Sequence, residues 1–253
     1  MKKILILLFL FPLAVFAQQD SIVSGAYEWQ QPVMQKNKIA STILVQGKAH
    51  DFEWMQLNSN AIYGTKPVKL KVPVDLEEVI IVRLGAIRIH LGDSVFVLTP
   101  NSVAVLMPGQ KYVLQNAINE PTQFYTMQYR KKNYSEERKT PVTRSFVKMD
   151  KDIPFKPNTI GGGRRDFFEC ATVMQKRFEI HLSTLKEGIR SHDPHTHKAE
   201  EIVLMISGDT EMQVGDQFKK VNPGGFYYLG SNVLHAIKNT GTTLATYFAI
   251  QFE

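Results

Sequence analysis

The chain has 253 residues, 43% of them hydrophobic and 21% charged, with a formal net charge of +6. That balance suits a folded globular protein, and the small basic excess contains no Lys/Arg block of the kind that binds nucleic acid. The one cysteine, Cys170, excludes both an internal disulfide and a thiolate metal cluster.

The first segment, "MKKILILLFLFPLAVFAQQD", places Lys2 and Lys3 before an uncharged run from Ile4 to Phe16. It ends in small residues at Val15 and Ala17, the pattern of a secretory signal peptide over residues 1–17. The run is short for a membrane-crossing helix and is broken by Pro12. The expectation is an exported protein, periplasmic or secreted, with no membrane span after cleavage. About 236 residues then remain, enough for one large or two small domains.

Beyond that point, apolar residues alternate with period two, and Gly, Pro, Asn and Asp fall at the breaks. Examples are "EEVIIVRLGAIRIHLGDSVFVL" from Glu77, "RFEIHLSTL" from Arg177 and "EEIVLMISGDTEMQVGD" from Glu200. No long segment carries a 3.6-residue stripe, so the chain reads as all-β, a sandwich or barrel of short strands. The stretch from Glu77 to Asn116 recurs without a gap 123 positions later. Glu78 falls on Glu201, Gly85 on Gly208, Gly92-Asp93 on Gly215-Asp216, Pro100 on Pro223 and Asn116 on Asn239. Two copies of one β-domain follow, at residues 18–140 and 141–253. Their join lies in the charged segment near Lys131 to Lys139 or in "DKDIPFKPNTIGGG".

The densest chemistry is in "HDPHTHKAEEIV", residues 192–203. His195 and His197 are two apart and Glu201 four further on. On one straight strand all three would share a face. A later strand delivers His235. Three imidazoles and a carboxylate make an N/O site for a first-row divalent metal. Glu200 should point the opposite way, and His192 reads as a rim residue. Arg177, Glu179 and His181 share one strand face, and alternation alone leaves open whether it looks into the barrel or out to solvent. Arg164 and Arg165 could clamp a substrate carboxylate or belong to a flexible linker. Met212, Phe226 and Tyr228 have strand positions suited to pocket walls or to core. No serine, nor Cys170, has a spacing tie to a base.

These motifs resemble those of the cupin superfamily. "HTHKAEEIVLMISG" follows that family's first motif, with two histidines, a glutamate and a closing glycine. "GGFYYLGSNVLHAIKN" follows its second, with His235 and Asn239 in place, although Gly230 and Asn232 stand where the family carries Pro and Gly. The resemblance implies two tandem cupin (double-stranded β-helix, or jelly-roll) barrels. It also implies His195, His197, Glu201 and His235 as ligands of one divalent transition metal: Mn, Zn, Fe or Ni, with Cu possible. In the first copy Val72, Val74 and Tyr112 replace the histidines and only Glu78 survives, so that copy should be metal-free. The likeness is to bicupins with one active half.

The expected function is metal-dependent catalysis on a small polar carboxylate or sugar-derived substrate, by hydrolysis, isomerisation or elimination. His181, Arg164 and Arg165 are the catalytic candidates. Alternatives are an iron- or copper-dependent dioxygenase and a non-catalytic metal-containing binding protein. The expected partner is a small molecule, with homo-oligomerisation possible.

Overall fold

A computed structural model describes residues 21–33, 39–132 and 143–253. Residues 1–17, where the signal peptide is expected, and most of the charged join lie outside them. Twenty strands and one short 3-10 turn, Asp150–Asp152, are the described elements, and the all-β expectation holds. Among the described residues no helix is long and apolar enough to cross a membrane.

The strands form four sheets. One has six strands, ordered Phe146–Lys148, Val103–Leu106, Glu77–Leu84, Thr122–Lys131, Phe52–Ile62 and Ile39–Gly47. It packs on a four-stranded sheet of Val68–Lys71, Lys111–Asn116, Ile87–Leu91 and Ser94–Leu98 through Ile80, Val82, Ile89 and Leu114. The second jelly roll has a large sheet of seven strands. Its order is Gly25–Tyr27, Phe226–Leu229, Glu200–Ser207, Ala245–Phe252, Phe178–Leu185, Gly162–Cys170 and Lys156–Asn158. This sheet packs on Gln217–Lys219, Thr210–Val214 and His235–Asn239 through Val203, Met205, Met212 and Ile237.

The two large sheets also share a core, in which Phe52 stacks on Tyr129 and on Phe252 at ring separations of 4.7 and 5.0 Å. Each is therefore dry on both faces at its centre. Glu77–Leu84 and Glu200–Ser207 are buried over their first six residues, which is why they read as unbroken apolar runs. Lys111–Asn116, with one wet face, keeps the alternation.

The repeat holds in space. Strands begin at Glu77, Ile87, Ser94 and Val103 and again 123 residues later at Glu200, Thr210, Gln217 and Phe226. It also extends further back than the sequence motif, because Ile39–Gly47 matches Gly162–Cys170 at the same offset. Gly85 and Gly208 take φ of +85° and +80°, and a Cβ at either would collide with Thr122 or Ala245, themselves 123 apart. Each half lends the other an edge strand. Gly25–Tyr27 pairs with Phe226–Leu229, and Phe146–Lys148 pairs with Val103–Leu106.

The first glutamate of each "EE" pair faces the shared core. Glu200 accepts the main-chain N–H groups of His50 and Asp51, at 2.8 and 3.1 Å, and the Tyr228 hydroxyl. Glu77 does the same in reverse, accepting Met174 N–H, the Thr172 hydroxyl and the Tyr129 hydroxyl, each at 2.8 Å. Asp51 and Met174 are 123 apart. Glu200 does point away from Glu201, and its function is to dock the two halves.

Candidate metal centre

The second glutamate, Glu201, faces the interior of the C-terminal jelly roll and is 6% exposed. The histidines reach it by a route that even spacing did not predict. The strand starts only at Glu200, so His195 and His197 precede it in irregular backbone. His195 instead bridges His235, with main-chain N–H···O bonds of 3.2 and 3.0 Å in both directions. The two histidines and His235 thus come from the small-sheet side and Glu201 from the large sheet, and the four meet between them. Asn232, in the place of a glycine, takes φ +60° and donates its N–H to the His197 carbonyl at 2.8 Å, holding the turn against the site. Asn tolerates the left-handed region better than most residues.

The three histidine ligand nitrogens lie within 4.8 Å of one another. His197 Nδ1 donates to Ala199 O at 2.7 Å and His235 Nδ1 to Val233 O at 2.8 Å. A carbonyl only accepts, so the protons sit on Nδ1 and the Nε2 lone pairs turn to the centre. Both Nε2 atoms and His195 Nδ1 are buried without a hydrogen-bond partner. Glu201 Oε2 lies 3.4 Å from His197 Nε2 and 3.3 Å from His235 Nε2. Two ligands each about 2.1 Å from a shared ion would lie about 3.0–3.4 Å apart at octahedral or tetrahedral angles. Burial would raise the Glu201 carboxyl, but with His197 and His235 protonated their hydrogen bonds and charge hold it well below the usual carboxylate range. Glu201 in turn raises His197. A bound cation would replace those protons at Nε2. Burial, with the neighbouring imidazoles, pushes His195 down toward its neutral, ligating form. Orphaned nitrogens converging on an ionised carboxylate fit a divalent metal.

The centre opens into a cavity of about 410 Å³, in the range of small-molecule sites. Its walls include His181, Ser183, Arg164, Met212, Tyr247 and Gln251. The polar face of Phe178–Leu185 therefore looks into the barrel. Arg164 reaches the cavity, but its Nε is paired with Asp166 at 2.6 Å and its Nη1 lies 3.9 Å from Glu179. Arg165 lies outside, stacked over the Phe155 ring and 3.9 Å from Asp150, because adjacent strand residues face opposite ways. Phe226 and Tyr228 are likewise not pocket walls, since both belong to the core between the two halves. His192 is exposed at the rim, its ring edge-on to His195 at 4.1 Å. Tyr247, Gln251 and the strap Lys156–Asn158 were not singled out from the sequence. Of these, Gln251 could have been found through the repeat, as the partner of Gln128.

In the first copy the corresponding carboxylate is already satisfied by side chains. Glu78 is 3% exposed and accepts hydrogen bonds from the Tyr112 hydroxyl and the Gln128 amide. Tyr112 occupies the place of His235 and satisfies the carboxylate that a metal would otherwise need.

Residues 181–251, which carry Glu201 and His235 and span most of these walls, match the family model for the cupin domain. That segment is a cupin domain, and the described chain has the cupin fold. Solved structures agree with the cupin fold over nearly the whole chain. AerE from Microcystis aeruginosa superposes with a TM-score of 0.68 at 14% identity, covering 91% of this chain and 98% of its own. A cupin 2 conserved barrel domain protein from Leptotrichia buccalis gives 0.59 at 9%, covering 87% and 92%. Oxalate decarboxylase from Lactobacillus farciminis, in its formate complex, gives 0.59 at 11%, covering 87% of each chain. No curated protein sequence matches this chain.

Proposed function

We propose that this cupin is an exported metal-dependent enzyme with one working half. Residues 141–253 would hold a single Mn, Zn, Fe, Ni or Cu ion on His195, His197, Glu201 and His235, and residues 18–140 would serve as a metal-free partner domain. The substrate is a small polar carboxylate or sugar-derived molecule, transformed by hydrolysis, isomerisation or elimination. One observation carries this reading: three unpartnered ring nitrogens and an ionised carboxylate converge at the edge of a cavity sized for a small molecule. The likeness to an oxalate decarboxylase adds support for a small carboxylate, at the level of fold. A metal bound there supplies Lewis acidity. The chain's own residues enclose the substrate, with Met212, Ile237 and Ala249 as apolar walls and Ser183 and Gln251 as hydrogen-bonding ones.

Metal-loaded full-length protein should turn over at least one member of a panel of small dicarboxylates, uronates and ureides, and a chelator should abolish that rate. Ligand binding without product across the panel would instead favour a binding protein, and metal-dependent oxygen uptake would favour a dioxygenase.

A further inference from the structure

We propose that His181 is the proton-transferring residue of this cavity and that Glu179 is the positioning residue that fixes its tautomer. The proposal rests on the metal-centre reading above and deepens it, from metal-dependent turnover to acid–base chemistry.

Across the large sheet, Glu179 pairs with Gln251, which pairs with Glu201, and His181 pairs with Ala249, which pairs with Val203. The pair therefore stands two strands from Glu201 on the same concave face. That is about 10 Å at the spacing of neighbouring strands, with the cavity between. His181 and the candidate metal ligands His195, Glu201 and His235 line the same cavity, so one small molecule in it is flanked by both. Glu179 and His181 are each 9% exposed, and titratable groups so buried need a reason.

The local bonds supply the geometry. His181 Nδ1 lies 2.9 Å from Glu179 Oε1. The other carboxylate oxygen, Oε2, accepts from Arg177, which also donates to Glu169 at 2.7 Å and to Gln251 at 3.1 Å. His181, followed by Arg177 and Arg164, holds the Glu179 carboxyl below the usual carboxylate range. An ionised carboxylate only accepts, so the His181 proton sits on Nδ1 and Nε2 keeps its lone pair for the cavity. Nε2 can then take a proton from the substrate, or from a water attacking it. Glu179 balances the imidazolium, and the proton returns to the product or its leaving group. No oxidant or other co-reactant is needed.

The repeat provides an internal control. At the positions of Glu179 and His181 the first copy carries Gln56 and Asn58, whose amides hydrogen-bond at 2.9 Å. The contact survives there as a neutral pair with no proton to transfer. The dyad and the three histidine ligands are absent from the same half, as expected if they serve one reaction rather than the fold.

The test uses zinc-loaded full-length protein, zinc being the diamagnetic probe. Long-range ¹⁵N spectra should show His181 with a protonated Nδ1 and a bare Nε2, and E179Q should lose that single tautomer. For whichever panel compound turns over, H181N should lower kcat about 10²–10⁴-fold, the range for a general acid–base group. KM and zinc content should change little. The double variant E179Q/H181N reproduces the Gln56–Asn58 pair and so guards against misfolding. Added imidazole should restore part of the rate of H181A. A His181 protonated at Nε2, or an H181N protein with wild-type kcat, would overturn the proposal. If the wild-type protein binds zinc but turns over nothing, the enzyme reading fails, and the tautomer still decides the dyad.

Discussion

Replacing His235 by Ala should remove nearly all metal affinity while leaving the fold intact. Changing an outer-shell partner of a metal ligand typically costs about 10–100-fold in affinity, and losing one of four ligands costs more. His235 is 3% exposed, and its Nδ1 is already engaged by Val233 O. Its Nε2 makes no hydrogen bond in the fold. The alanine therefore gives up one hydrogen bond, to Val233 O, at a net cost of about 0.5–1.5 kcal/mol, and a folded variant is expected. The readout is thermal. Metal at about 100–1,000 times its Kd stabilises a protein by about 3–4 kcal/mol, which for a chain of this size is roughly 5–15 °C in Tm. Wild-type protein should gain that increment on metal addition and His235→Ala should gain almost none. An equal gain in both would remove His235 from the ligand set.

Glu200→Ala should do the reverse: keep the ligands and loosen the molecule. The substitution leaves two main-chain N–H groups, of His50 and Asp51, and the buried Tyr228 hydroxyl without their acceptor. Each buried group stranded in this way costs about 1–3 kcal/mol, and the losses are not fully additive. A total of about 2–4 kcal/mol, roughly 5–15 °C in Tm, is expected in metal-free and metal-loaded protein alike. Glu201→Ala should leave the metal-free Tm close to wild type and abolish the metal-dependent gain. Thermal melts of both variants with and without metal separate the two adjacent glutamates. A metal-free Glu200→Ala protein as stable as wild type would contradict the docking role.

Much of the arrangement was legible because the chain repeats itself. The gapless match of Glu77–Asn116 to the stretch from Glu200 located the strands, and the loss of three histidines at Val72, Val74 and Tyr112 marked one half as different. The four candidate ligands were grouped in the sequence, and the structure brings them together by a different route. Period-two spacing placed His195 and His197 on the strand of Glu201, whereas they precede it and are aligned by a bridge to His235. Bridges between distant segments leave no local signal. The same limit explains Phe226 and Tyr228: a sheet dry on both faces shows no contrast between the wall of a pocket and the core between two domains. Exchange of the Gly25–Tyr27 and Phe146–Lys148 edge strands is likewise a matter of pairing, not composition. Arg164 and Arg165 read alike in the sequence, and only the structure shows that Arg164 is the one at the cavity.

The expected occupancy is one metal ion per chain, held in the second half alone. Anomalous diffraction from crystals of the metal-loaded full-length protein tests it most directly. A single peak is expected, in contact with His195, His197, Glu201 and His235, and none beside Glu78 and Tyr112. A peak in the first half, or one that leaves out His195 and His235, would contradict it.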